Sequence, residues 1–223
     1  MQLIIGNKNY SSWSMRPWVL MKQLGIPFEE VKLRFDFSEG SAFRQAVARH
    51  SPAGKVPVLV DGALDIWDTL AITEYLAEKH PGVWPTEGAA RARARSLVCE
   101  MHSGFAALRT HCPMNIEAQL QDQGARIWAE QSAVRQDVTR IESAWAQALA
   151  VTGGPFLFGA FGAADAFYAP VCMRWLTYGL PMSDTTRAYV QAVTATPAVA
   201  AWIKDSLAEQ DYLDFDEPYR KQR

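Results

Sequence analysis

No uninterrupted apolar run in the 223-residue chain reaches the ~18 residues that a bilayer-spanning helix needs. Cysteine is scarce. Cys99, Cys112 and Cys172 form no CxxC pair, and their odd number argues against a disulfide framework. An excess of one charge is also missing. The 22 basic and 24 acidic residues leave a formal net charge of -2, which removes the usual electrostatic basis for binding nucleic acid or an anionic membrane. The opening segment MQLIIGNKNYSSWS has no charged n-region, long apolar stretch or small-residue cleavage site. It reads as mature sequence, and a reducing cytoplasm is the expected setting. What is there suits a folded protein: 49% hydrophobic and 21% charged residues, enough for one large or two small domains.

Alanine divides the chain. Residues 1–81 hold 7 alanines and residues 82–223 hold 26, so the second part is expected to be mostly helical. In the first part, short apolar runs alternate with helical patterns. Gln2–Ile5 reads as a strand stopped by Gly6-Asn7. Ser14–Leu24 reads as a helix ended by Gly25, and Phe28–Leu33 as a strand. Ser41–Arg49 reads as a helix. Val58–Val60 and Leu64–Trp67 flank the Asp61-Gly62 turn, and a helix over Thr69–Lys79 closes the unit. The order β-α-β-α-β-β-α predicts a compact α/β unit over 1–80. Two prolines and two glycines make 81–88 a linker region. Helices are then predicted over Ala89–His111, Asp122–Ala150 and Ala163–Tyr178. Asp184 is expected to cap a further helix, Pro197 to open the last one, and the tail after Asp211 to lie on the surface.

Three segments carry chemistry. In Tyr10-Ser11-Ser12-Trp13-Ser14-Met15-Arg16-Pro17, three serines lead from the first strand into the first helix. Such hydroxyls beside free helix N–H groups suit an anion or thiolate, although Ser14 as a plain N-cap is the simpler alternative. In Gly54-Lys55-Val56-Pro57-Val58-Leu59, Pro57 is either an ordinary trans proline or a cis proline. The cis form would turn the Val56 backbone outward, where it could pair with an extended peptide. In the third segment, Asp68 or Thr69 caps the following helix, whose end could also hold a carboxylate while Asp68 held an ammonium.

Together these segments resemble the cytosolic glutathione S-transferases. Ser11-Ser12-Trp13-Ser14-Met15-Arg16 is similar to the S-S-C-S-x-R motif of the zeta class, the maleylacetoacetate isomerases. Lys55-Val56-Pro57-Val58-Leu59 resembles the family's cis-proline loop, and Asp68-Thr69-Leu70-Ala71-Ile72 its acidic-or-amide, serine, x-alanine-isoleucine segment. The resemblance implies a thioredoxin-like glutathione-binding domain over 1–80, a linker over 81–85 and an all-helical domain over 86–223. It also implies a homodimer.

By that resemblance, Ser11, with Ser12 next, would hydrogen-bond the glutathione thiolate. Ser14, Arg16, Lys55, Val56, Pro57, Asp68 and Thr69 would bind the rest of glutathione. Met101, Phe105 and Arg109 would line the pocket for a small electrophile, with Arg109 meeting an anionic group. Trp13 stands where the zeta class has cysteine, which argues against an isomerase dependent on that thiol. A non-catalytic binding protein is the other alternative, and the full serine motif argues against it. The family's S/T-x-x-D capping box appears as Gly162-Ala163-Ala164-Asp165. No metal is expected. On one continuous helix, His102 and His111 would stand about 14 Å apart, too far to share a zinc ion with ligands at ~2.0–2.3 Å.

Overall fold

The computed structural model describes all residues, Met1–Arg223. Its first unit is built on β1 (Gln2–Ile5), β2 (Glu29–Lys32), β3 (Val58–Asp61) and β4 (Leu64–Ile66). They form one sheet in the order β2-β1-β3-β4. β1 runs parallel to β2 and antiparallel to β3, so Leu3 faces both Glu30 and Leu59 across the ladders. The parallel pair requires a crossover, which α1 (Ser12–Gln23) supplies, whereas β3 and β4 need only a tight turn. Helices α2 (Ala42–Ala48) and α3 (Thr69–Ala77) complete the thioredoxin-like unit in the expected order.

Seven helices follow: α4 (Gly88–Ser103), α5 (Ala106–His111), α6 (Gln121–Glu130), α7 (Ser132–Thr152), α8 (Ala163–Tyr178), α9 (Asp184–Ala195) and α10 (Pro197–Glu209). α8 is central. All its residues but Leu176 are buried, and it packs against α1, α4, α6 and α9. A helix that is apolar on every side has no solvent face to offer, so it becomes the axis around which the others pack. One core runs from Leu3 and Ile5 through Met15 to Trp145, Trp175 and Trp202.

The start of α8 is fixed by Asp165. Its carboxylate accepts the N–H groups of Leu157 and Gly162, each at 3.1 Å, and the Tyr189 hydroxyl at 2.9 Å. Burial pushes the carboxyl up to about 6, against three donors that favour its ionised form. Gly162 supplies no side-chain acceptor, so Asp165 takes the Gly162 N–H while the Ala163 N–H donates to the Val83 carbonyl at 2.9 Å.

Several expected elements differ. The helix expected over Ala89–His111 breaks after Ser103. Gly104 comes so close to the Glu100 carbonyl that a Cβ would lie 2.6 Å from it, and Phe105 takes a left-handed φ of 55°. The helix expected over Asp122–Ala150 breaks at Gln131, where an extended backbone separates α6 from α7. Ser183, not Asp184, caps α9 by accepting the Thr186 N–H at 3.2 Å. α1 begins two residues earlier than expected, with Ser11 as its cap, which puts Pro17 in the second turn. The tail is not merely superficial. Leu213 and Glu217 are buried, and Glu217 accepts the Tyr10 hydroxyl at 2.7 Å. No helix is long and apolar enough to cross a membrane.

Candidate active site

A cavity of about 580 Å³ opens where the two units meet, a volume within the range of small-molecule sites. The loop after β1 supplies one wall. Ser11 caps α1, its oxygen accepting the Ser14 N–H at 3.4 Å, and the two hydroxyl oxygens lie 2.7 Å apart. Ser14 also accepts the Gly6 N–H at 3.2 Å. Ser11 and Ser12 both line the cavity, and the Ser12 hydroxyl makes no hydrogen bond within the chain. The Ser12 N–H is taken by the Tyr10 carbonyl and the Ser14 N–H by Ser11, which leaves the Trp13 N–H and the positive dipole at this end of α1.

The cis-proline loop supplies the second wall. The Val56–Pro57 peptide is cis, and Lys55, Val56 and Pro57 line the cavity. The Val56 N–H and C=O make no backbone hydrogen bond. The N-terminus of α3 adds Asp68 and Thr69. Asp68 accepts the Leu70 N–H at 2.9 Å as the cap and keeps its second oxygen 3.4 Å from His102 Nε2. Thr69 is 1% exposed, yet its hydroxyl has no partner. A buried, unsatisfied hydroxyl beside a cavity needs a reason, and a ligand in that cavity would provide one.

The helical unit contributes Arg109 from α5, Pro113 and Met114 beyond it, and Arg174 from α8. Trp13 lies on the rim between two guanidinium groups, with Arg16 at 4.1 Å and Arg109 at 5.0 Å from its ring centre. His102 meets the Trp13 ring edge-on at 5.1 Å. Burial, and then Arg16 and Arg109, push His102 down, with Asp68 opposing them.

Eight of the twelve residues expected at this site line the cavity: Ser11, Ser12, Lys55, Val56, Pro57, Asp68, Thr69 and Arg109. Four do not. Ser14 is fully buried behind Ser11, where α1 turns its side chain toward Gly6. Arg16 is 1% exposed and lies behind Trp13. Met101 packs into the core. Phe105, in a left-handed conformation between α4 and α5, joins the same core as Met101.

Sequence reasoning missed Arg174, Trp13 and Asp216 as cavity residues. A lone arginine in the otherwise apolar run of α8 was the available signal for Arg174. Tyr10 also reaches the cavity wall, but its hydroxyl is held by Glu217. Burial, followed by that carboxylate, pushes the phenol well above its ordinary range. No group of three His, Cys, Asp or Glu side chains comes together.

A thioredoxin-like sheet joined to a helical bundle, with a cis-proline loop facing a serine-capped helix, defines a class of two-part folds. The model for the glutathione S-transferase N-terminal domain matches residues 10–79, and that for the C-terminal domain matches residues 89–205. The chain belongs to the glutathione S-transferase family.

Among curated proteins, it is 39% identical over 64 residues to a dichloromethane dehalogenase of Methylorubrum extorquens, covering 28% of this chain and 21% of that one. The match thus spans about a fifth of that relative's length. Among solved structures, a glutathione transferase homologue from Burkholderia, with bound glutathione, superposes with a TM-score of 0.68 at 23% identity, covering 92% of this chain and 97% of that one. A sphingomonad glutathione S-transferase complexed with glutathione has a TM-score of 0.65 at 25% identity, covering 92% and 98% of the two chains.

Proposed function

We propose that the chain is a cytoplasmic, homodimeric glutathione transferase that uses a serine hydroxyl to hold the glutathione thiolate for attack on a small electrophile. Residues 1–80 form the glutathione-binding domain, 81–85 the linker and 86–223 the helical domain. The observation that carries this reading is the arrangement of one cavity. It brings the Ser11 hydroxyl at a helix N-terminus together with an unpaired Val56 backbone and an orphaned Thr69 hydroxyl.

Glutathione is an extended tripeptide with a thiol at its centre. The Val56 N–H and C=O pair with its cysteinyl portion, as an edge strand pairs with a peptide. Its γ-glutamyl carboxylate meets the backbone N–H and hydroxyl of Thr69 at the α3 N-terminus, and its ammonium meets Asp68. The sulfur then faces Ser11 and Ser12.

The chemistry needs an ionised sulfur. A free thiol with pKa ~8.5 is only a few per cent thiolate at pH 7. Lowering that pKa by ~2 units requires about 2.7 kcal/mol of differential stabilisation. A charge-assisted hydrogen bond and a helix dipole together supply energy of this order. The sulfur lone pair forms the new S–C bond. In a substitution, the breaking C–X bond gives its electron pair to X, which departs as an anion.

Ultraviolet thiolate absorbance of the protein–glutathione complex, followed against pH, tests the reading. The expected midpoint lies ~2 units below that of free glutathione. Absence of binding at millimolar glutathione, or a bound thiol that titrates like the free one, would refute it.

A further inference from the structure

Two large aromatic side chains stand half-exposed and in contact at one edge of the cavity. Phe37, in the loop after β2, is 47% exposed, and Phe215, in the tail, is 53% exposed. Their ring centres lie 5.0 Å apart. Phe37 also stacks on Phe35 at 5.4 Å and meets Phe43 edge-on at the same distance. Phe35, Phe37 and Phe43 line the cavity, and Leu213 of the tail is buried with Phe35 and Phe43. The tail and the first unit thus build an aromatic platform whose outer part is open to solvent.

Asp216 follows Phe215 directly and lines the same cavity. Its carboxylate has no hydrogen-bond or ion-pair partner. The neighbouring acids are engaged. Glu217 accepts from Tyr10, Asn115 and Arg220, and Asp211 pairs with Arg34 at 2.8 Å. Lys55, Arg109 and Arg174 also line the cavity, yet none of them pulls on Asp216. Burial, and then Glu217, push the Asp216 carboxyl up to about 6, so it is mainly ionised at neutral pH.

A partly buried carboxylate without a donor is costly. The face of a phenylalanine ring is negative and attracts a cation. A carboxylate and aromatic faces gathered at one edge therefore suit an ammonium group and disfavour an anion. The proposed pose of glutathione runs its γ-glutamyl end from Val56 to α3, which leaves the glycyl end to the other side of Val56. Val56 packs against the cluster of Tyr10, Phe35 and Phe43, so that side leads to the platform.

We infer that Asp216, Phe37 and Phe215 form a subsite for an aliphatic ammonium group carried by a ligand of the cavity. The inference rests on the transferase reading above and extends it to a positively charged substrate. Two sources share that chemistry: a thiol co-substrate amidated at its glycyl end by a diamine, and an electrophile that bears an amine. Glutathione itself ends in a carboxylate, for which Lys55, next to Val56 in the chain, is the available cation.

The probes are two matched pairs, titrated by calorimetry into the full chain at neutral pH. The first is the glycyl amide of glutathione with 1,3-diaminopropane against that with 3-aminopropan-1-ol. The second is S-(3-aminopropyl)glutathione against S-(3-hydroxypropyl)glutathione. Within each pair, only ammonium and hydroxyl differ. Glutathione itself is titrated in parallel. Wild-type protein is expected to bind at least one ammonium ligand about ten-fold more tightly than its hydroxyl counterpart, the scale of one charged hydrogen bond. Asp216→Asn is expected to cut that preference to below about two-fold, and Phe37→Leu to reduce it several-fold. Glutathione affinity is expected to change by less than about three-fold in both variants, since neither side chain holds its carboxylates or its sulfur.

A preference confined to the glycyl pair assigns the ammonium to the thiol co-substrate, and one confined to the S-conjugates assigns it to the electrophile. The inference fails if wild-type protein prefers the ammonium in neither pair. It also fails if the preference survives Asp216→Asn unchanged, or if that variant weakens glutathione and the ammonium ligands by the same factor. If neither glutathione nor any conjugate binds, the transferase reading fails first and the subsite falls with it, an outcome that the glutathione titration tells apart from the others.

Discussion

The Ser11 and Ser14 hydroxyl oxygens lie 2.7 Å apart, and Ser14 also accepts the Gly6 N–H at 3.2 Å. Hydroxyl protons rotate to suit their partners. When Ser14 donates to Ser11, the Ser11 proton is free to turn toward a thiolate. Without a ligand Ser11 donates to Ser14; on the proposed reading that bond would reverse, and the buried serine would then support the cavity serine.

Ser11→Ala is expected to raise the bound thiol pKa by ~1–2 units, because a hydrogen bond to a charged group is worth ~1.5–3 kcal/mol. Ser14→Ala is expected to produce a smaller rise, below ~1 unit, through the weakened relay. Thiolate absorbance against pH reads both. A midpoint unmoved by Ser11→Ala, but moved by Ser12→Ala, transfers the role to Ser12.

Tyr10 adjoins the serines but is spoken for, since Glu217 accepts its hydroxyl at 2.7 Å. Tyr10→Phe is expected to leave the bound thiol pKa unchanged while lowering stability by about 1.5–3 kcal/mol, the scale of a lost hydrogen bond to a charged acceptor. Chemical denaturation and the same absorbance titration separate these effects. A rise in thiol pKa would show that the phenol reaches the sulfur.

The Thr69 hydroxyl is buried and has no partner within the chain. Thr69→Val keeps the shape and removes the orphan. It is expected to leave the unliganded protein as stable as wild type or up to ~1 kcal/mol more so, because an unsatisfied buried hydroxyl is a net cost. Glutathione affinity is expected to fall several-fold. A melting curve without glutathione and a calorimetric titration with it give the two answers. Unchanged affinity would remove Thr69 from the ligand site.

Asp165 holds three donors at the start of α8. Asp165→Ala leaves the N–H groups of Leu157 and Gly162 and the Tyr189 hydroxyl unsatisfied. The expected loss is about 3 kcal/mol or more at neutral pH, since each lost bond to a charged acceptor costs ~1.5–3 kcal/mol. Denaturant unfolding measures it. A loss below ~1 kcal/mol would mean that the end of α8 is held by packing instead.

Much of this protein is legible along the chain because the signals are local. Strand runs, turn residues and helix stops depend on neighbours a few positions away, so the β-α-β-α-β-β-α order and the helical remainder follow from pattern. Ser11, Val56, Asp68 and Thr69 are likewise legible, because each sits at a loop or helix start with its own composition.

What pattern could not supply depends on contacts between distant residues. Met101 and Phe105 join the one core that spans both units and so leave the cavity wall to other residues. The tail is tied down by Glu217 meeting Tyr10, more than two hundred residues away. Arg174 sits in an apolar helix whose rotation about its own axis is set by packing on several neighbours, and only that packing turns its guanidinium toward the cavity. Local chemistry determined which residues could bind an anion; the three-dimensional packing decided which of them share one cavity and which are buried behind its walls.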